Sequence, residues 1–152
     1  MKKIAVERLD HPTAAQLDAL TDLWEASVRA THDFLKPEDI AFYRRIVREE
    51  ALHGTTLYVI RTEDNAFAAF AGIAAEMLEM LFVAPGLRGR GLGRSLAEHL
   101  IARHNVRRVD VNEQNPQAAA FYARLGFRTL SRDAVDASGK PYPILHLGLA
   151  EQ

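Results

Sequence analysis

The chain predicts a mixed α/β fold, a sheet covered by helices, and three observations carry that prediction. Apolar residues recur at helical spacing in the N-terminal third. Short β-type runs in the middle and at the C-terminal end are joined by turn residues. Two strand–helix–strand units lie between them, the first entered through a glycine-rich turn. Lys3 to Arg8 alternates weakly and suits a short first strand. Thr13 is placed to cap a helix from Ala14 to about Arg29, with Leu17, Leu20, Leu23, Trp24 and Val28 on one face. The stretch from Ala30 to Pro37 breaks the pattern, and Pro37-Glu38-Asp39 opens a second helix that runs through Phe42, Ile46, Val47 and Leu52. Thr55 to Arg61 and Phe67 to Ala74 read as a hairpin around Glu63-Asp64-Asn65. Met77 to Val83 extends the sheet until Pro85-Gly86, and a helix follows the glycines to about His104. Arg107 to Val111 is a short strand. Pro116 opens a helix carrying Ala119, Ala120, Phe121 and Leu125 to a stop at Gly126. Phe127 to Val135 and Ile144 to Leu149 are the last two strands, joined through Asp136 to Pro141.

Length and composition bound what such a fold can do. With 152 residues, 48% hydrophobic and 26% charged, the chain is the size of one domain, residues 1–152, and can bury a core without staples. No apolar run approaches a membrane span. Nineteen basic against twenty acidic residues leave a net charge of −1, so no global field draws in nucleic acid or anionic lipid. Zero cysteines exclude disulfides, thiolate metal sites and a cysteine nucleophile, and Met1-Lys2-Lys3-Ile4 does not start a long apolar leader. The expected setting is reducing and cytoplasmic.

The most informative stretch runs from Leu78 to Arg103. The apolar Met80-Leu81-Phe82-Val83 leads into Arg88-Gly89-Arg90-Gly91-Leu92-Gly93-Arg94 and then a helix. Three glycines at alternate positions let a ligand approach the backbone where a helix begins with unpaired N–H groups, and three arginines surround them. A tight strand-to-helix turn would use the same glycines, but the arginines favour an anion site. A Walker loop would need Gly-Lys-Ser/Thr after its second glycine, and a dinucleotide fingerprint would need its third glycine one place after Gly93. Neither fits.

Arg88-x-x-Gly91-x-Gly93 directly after a strand, followed by Asn115-x-x-Ala118-x-x-Phe121-Tyr122-x-x-x-Gly126-Phe127, resembles the two signature motifs of the GNAT N-acetyltransferase superfamily. The order of elements agrees over nearly the whole chain. The resemblance implies a mostly antiparallel sheet of about six to seven strands, flanked by about four helices and splayed at its centre. It also implies an acetyl-coenzyme A (acetyl-CoA) site, with the pyrophosphate on the backbone of Arg88, Gly89, Arg90, Gly91, Leu92, Gly93 and Arg94. The pantetheine arm would lie beside Leu81 and Val83, with Asn115 bonding the arm or nearby backbone. Asn115 also suits a cap for the helix at Pro116.

Tyr122 takes the family position of the acid that protonates the departing thiolate. A phenol, with a reference pKa of about 10, keeps its proton at neutral pH for that task. An amine acceptor needs a base, since an alkylammonium has no lone pair. Glu79 stands where many members carry a carboxylate, though a solvent-exposed strand residue reads the same way. Glu76 and Glu113 are poorer candidates. His32 and Asp33, between the first two helices, are where the family lines its acceptor pocket and could bind or deprotonate the acceptor, though a capping loop for the second helix uses the same residues; Tyr142 could reach the pocket from the last hairpin, with a structural aromatic as its default reading. No His-x-x-x-His pair suggests a metal. The expectation is direct acetyl transfer to a small-molecule or peptide amine in a ternary complex, with no nucleic acid or membrane partner and with a homodimer allowed. Two rivals stay open here: transfer of another acyl group or to a hydroxyl, and a coenzyme A-binding module without turnover.

Overall fold

The structure is a computed structural model and describes residues 4–150. Thr13 starts helix α1 (Ala14–Thr31) with a reciprocal cap: its hydroxyl accepts the Gln16 N–H, and the Gln16 side chain accepts the Thr13 N–H. The helix runs two residues beyond Arg29 because the Thr31 hydroxyl donates back to the Ser27 carbonyl and Ala30 is a strong helix former. His32 is therefore the C-cap of α1, its N–H bonded to the Val28 carbonyl at 2.7 Å, rather than a residue of a free loop. Pro37 occupies the first turn of α2 (Pro37–Ile46) as its fixed φ predicts. The expected continuation to Leu52 is present but widened into a π-type turn over Val47–Ala51, with Leu52 N–H donating to the Val47 carbonyl. Widening brings Val47 and Leu52, five residues apart, into the same apolar cluster.

Among the described residues seven strands form one sheet: β1 (Glu7–Leu9), β2 (Thr56–Arg61), β3 (Phe67–Ala74), β4 (Met77–Val83), β5 (Arg108–Asn112), β6 (Phe127–Asp133) and β7 (Ile144–Leu149), in the spatial order β1-β2-β3-β4-β5-β7-β6. The first strand is shorter and later than Lys3 to Arg8 predicts. Lys3 lies outside the described residues, and pairing with β2 extends only from Glu7 to Leu9, where Leu9 enters the core. Helices α3 (Leu92–His104) and α4 (Pro116–Arg124) complete the order.

Two apolar clusters sandwich the sheet. Leu17, Leu20, Trp24 and Ile40 of α1 and α2 pack on Leu57, Val59 and Phe70, while Leu96 and Leu100 of α3 and Tyr122 of α4 pack on Tyr58, Ala69, Ala71 and Val109. Strands β2 and β3 are buried on both sides, so they read as continuous apolar runs instead of an alternation.

Every neighbouring pair is antiparallel except β4 and β5, which run parallel and meet only at Met77↔Arg108 and Leu78↔Val109. Beyond these two pairs the strands part. On its other side β4 pairs with β3, where Gly72 opposes Met80 and Ile73 opposes Leu78, so Glu79 is the extra residue of a β-bulge. The bulge sits at the crotch of the fork.

Candidate active site

The turn after β4 shows how its glycines are used. Gly89 and Gly91 have φ of +79° and +78°, a left-handed backbone that residues with a Cβ rarely adopt, and nothing lies within 4 Å of where a Cβ would stand on either. Gly91 precedes Leu92 as the N-cap of α3 and has no side chain to cap it. The first N–H groups of α3 therefore emerge uncovered beside open space, with the positive end of the helix dipole behind them, and these are the requirements of a phosphate. Gly93 differs: a Cβ there would meet Val83 at 3.4 Å and the Phe121 ring at 3.7 Å, so its bareness lets β4, α3 and α4 close on one another. Arg88 is held by the Gln117 side chain at 2.8 Å and Arg94 by Glu98 at 2.6 Å. The residues fit the diphosphate of an acyl-CoA.

A cavity of about 1020 Å³ extends from this turn into the fork. Of the residues singled out from the sequence, Glu79, Leu81, Val83, Arg88, Gly89, Gly91, Leu92, Gly93, Arg94, Asn115, Tyr122 and His32 line it. Arg90, Asp33 and Tyr142 lie outside that lining, Arg90 and Asp33 exposed and Tyr142 buried elsewhere.

Tyr122 is held by α4 in edge-on contact with Phe121 at 4.9 Å and Phe127 at 5.6 Å, and only 6% of it is exposed. Burial keeps its phenol protonated well above the ordinary range. No buried side-chain oxygen among the described residues lacks a partner, and the Tyr122 hydroxyl makes no hydrogen bond, so its oxygen faces the cavity. Asn115, the N-cap of α4, accepts the Ala118 N–H at 3.2 Å and is itself buried.

Glu79 faces the cavity from the bulge. Desolvation, then repulsion from Asp110 across the fork, raise the pKa of its carboxyl toward the range useful to a base. Asp110 is a lining residue that sequence reasoning missed; its only signal was its place in the strand following the glycine helix. It accepts from His146 Nδ1 at 2.7 Å, while His146 Nε2 meets Asp133 at 2.6 Å. Those two bonds, Asp133 first, raise the imidazole's affinity for a proton. Glu113 is engaged by Arg132 through both oxygens.

Tyr142 belongs to a network that ties the β6–β7 connection to α2. Its hydroxyl donates to Asp39, which also pairs with Lys140 at 2.9 Å, and the Tyr43 hydroxyl donates to Asp136. Tyr142 touches Phe34, and Phe34 touches His32, at centroid distances of 5.9 and 5.2 Å, so the network backs the cavity wall. Among the described residues no group of three or more His, Cys, Asp or Glu is placed to hold a metal ion, and no helix is long and apolar enough to cross a membrane.

A forked sheet with a phosphate-ready turn at its open end and a tyrosine hydroxyl inside the fork defines an acyl-CoA-dependent transferase. The chain belongs to the GNAT acetyltransferase family: residues 19–139 match the family's acetyltransferase (GNAT) domain. It is an N-acetyltransferase, and acetyl-CoA is its cosubstrate. Among its relatives is the peptidyl-lysine N-acetyltransferase YjaB of Salmonella typhimurium, 37% identical over 144 residues, which span 95% of this chain and 97% of the relative. YjaB of Escherichia coli is 38% identical over 95% of each chain, and the solution structure of its apo form superposes with a TM-score of 0.84 over 99% of this chain and all of that one, at 35% identity. The PaiA N-acetyltransferase of Thermoplasma acidophilum, solved in complex with coenzyme A, shares the fold with a TM-score of 0.73 at 18% identity, covering 98% of this chain and 100% of that one.

Proposed function

We propose that the protein acetylates the ε-amino group of lysine in peptides or proteins, by direct attack of the amine on acetyl-CoA in a ternary complex. The observation that carries this reading is the fork itself, where one cavity holds the uncovered α3 N-terminus, the unbonded Tyr122 hydroxyl and the carboxylates of Glu79 and Asp110. The relatives named as peptidyl-lysine acetyltransferases, which match along almost the whole chain, support lysine as the acceptor.

The roles follow from charge. Backbone N–H groups between Arg88 and Arg94 receive the donor's diphosphate, and the edges of the fork at Leu81 and Val83, with Asn115, hold the arm that leads to the thioester. Glu79 and Asp110 make the opposite end of the cavity acidic, which suits an incoming ammonium. With an alkylammonium pKa of about 10.4, the acceptor must shed a proton before attack, and Glu79 takes it directly or through water. Tyr122 gives its proton to the leaving sulfur. Neither a nucleic acid nor a lipid surface is part of this reading, and the reaction is placed in the cytoplasm as one domain's work. Sedimentation of the purified chain tests the homodimer that the resemblance allows.

The test is an acetyl-CoA consumption screen over lysine peptides, free amino acids, polyamines and alcohols, with products identified by mass spectrometry and Gly91→Glu as the donor-site control. Lysine ε-acetylation above the rest supports the proposal. Exclusive turnover of a non-lysine amine or an alcohol overturns the acceptor, and a Gly91→Glu variant with undiminished donor affinity overturns the diphosphate site.

A further inference from the structure

The proton inventory of lysine acetylation leaves one position unfilled. An ammonium loses two protons on becoming an amide, the first before attack and the second as nitrogen bonds to the thioester carbon. Glu79 accounts for the first. We propose that Nε2 of His32 accepts the second, which makes this side chain a catalytic base at the end of α1; the assignment rests on the amine-transfer reading above.

The argument is one of hydrogen-bond direction. The Thr31 hydroxyl has a single proton, and it is given to the Ser27 carbonyl at 2.8 Å. The 2.7 Å contact between Thr31 Oγ1 and His32 Nδ1 then requires the ring to donate. In a neutral imidazole this leaves the lone pair on Nε2. The Asn115 amide agrees with the same tautomer from the other side. Its Oδ1 accepts the Ala118 N–H, which turns its amide nitrogen toward His32, 3.5 Å from Nε2, so a donor faces an acceptor. At 3.5 Å that contact is too long to engage the lone pair strongly. His32, Asn115 and Tyr122 all line the same cavity, which puts the ring in the wall of the space where the chemistry is placed.

The surroundings keep the ring neutral. Burial lowers its affinity for a proton, and Asp33 beside it works in the opposite direction with less effect. Glu79, Asp110, the Tyr122 phenol and the guanidinium groups of Arg88, Arg94 and Arg124 are the titratable groups that line the cavity with it, and the Phe34 ring packs against it at a centroid distance of 5.2 Å. In the step, the amine nitrogen forms a bond to the thioester carbon and its proton passes to Nε2. The C–S bond then breaks with its electron pair going to sulfur, and sulfur takes the proton of Tyr122. The imidazolium proton returns through solvent to the phenolate, and both residues are restored.

Two measurements test this. Long-range proton–nitrogen NMR on the wild-type protein, with His32→Gln to assign the ring, reads the tautomer without any acceptor. The expected result is a ring neutral at pH 7 and protonated at Nδ1, whereas an Nε2–H tautomer or a charged ring overturns the proposal. Kinetics then use the amine found in the screen. His32→Ala should lower kcat by about 10²- to 10⁴-fold, change the acid limb of the kcat/KM profile to the part set by Glu79 and recover partly with added imidazole, while acetyl-CoA affinity and acceptor KM stay nearly unchanged. Thr31→Val, which frees the ring to change tautomer, should lower kcat by a smaller factor. A wild type that turns over no amine sinks the transfer reading. An active wild type whose His32→Ala variant keeps its kcat and pH profile sinks only the His32 assignment.

Discussion

Replacing Tyr122 by phenylalanine removes one oxygen and leaves the ring where Phe121 and Phe127 hold it. That oxygen has no hydrogen bond to lose, so the fold should barely register the change. Stability should stay within about 0.5 kcal/mol of wild type, a shift in melting temperature of roughly 1–2 °C for a chain of this size. The chemistry should register it strongly. A positioned general acid contributes about 10²- to 10⁴-fold, equivalent to roughly 2.7–5.4 kcal/mol of barrier. Tyr122→Ala cannot make this distinction, because truncating a buried aromatic costs about 3–5 kcal/mol of stability by itself. The assay is single-turnover acetyl transfer at saturating donor, with a parallel thermal melt. A Phe variant that melts like wild type and transfers within twofold of its rate would refute the acid role.

Other outcomes follow from the same geometry. Gly91→Ala should cost about 1–2 kcal/mol for its left-handed backbone yet keep donor affinity, since the space around its Cβ is open; Gly91→Glu should lose at least about tenfold in acetyl-CoA affinity by calorimetry. Equal affinities for the two would remove the anion from that turn. Glu79 has a folded pKa above its unfolded one, so its ionisation works against folding as pH rises through that window. Glu79→Gln should therefore flatten the loss of stability as pH rises from about 4 through the raised folded value while lowering kcat/KM, and melts across pH decide it. Asp39 is the reverse case. The bond from Tyr142 first, and then that from Lys140, hold its carboxyl below the usual range, so its contribution is present above about pH 4 and lost as pH falls through the depressed folded value. Asp39→Asn should lower the melting temperature at pH 7 and narrow the gap to wild type in acid; a constant gap would mean the ion pair does not stabilise the fold.

Much of the framework was legible because its signals are local. Phe67–Ala74 and Met77–Val83 are apolar runs bounded by turn residues, and Pro37, Asn115 and Pro116 mark helix starts that the chain obeys. What escaped was set by partners distant in sequence. The bulge at Glu79 exists only as a register with Gly72 and Ile73. The two added residues of α1 depend on a threonine bonding back to its own helix, a choice composition does not reveal. An aromatic near a hairpin end such as Tyr142 can reach a pocket or serve the structure, and what decides between the two is Asp39, over a hundred positions away. Asp110 looked like any strand carboxylate until the fork brought it to Glu79.

The two-pair junction of β4 and β5 has a consequence for how the enzyme responds to its metabolic surroundings. The strands on either side of that seam are joined across the sheet by little backbone pairing, so a donor seated in the fork as proposed would act as a splint between them. Ligand occupancy and fold stability are then one linked quantity, growing by about 2.7 kcal/mol when acetyl-CoA stands at a hundred times its dissociation constant. A cell rich in acetyl-CoA would hold this enzyme clamped, and a starved one would leave it more open to unfolding and proteolysis, so that its lifetime would follow the supply of its own cosubstrate.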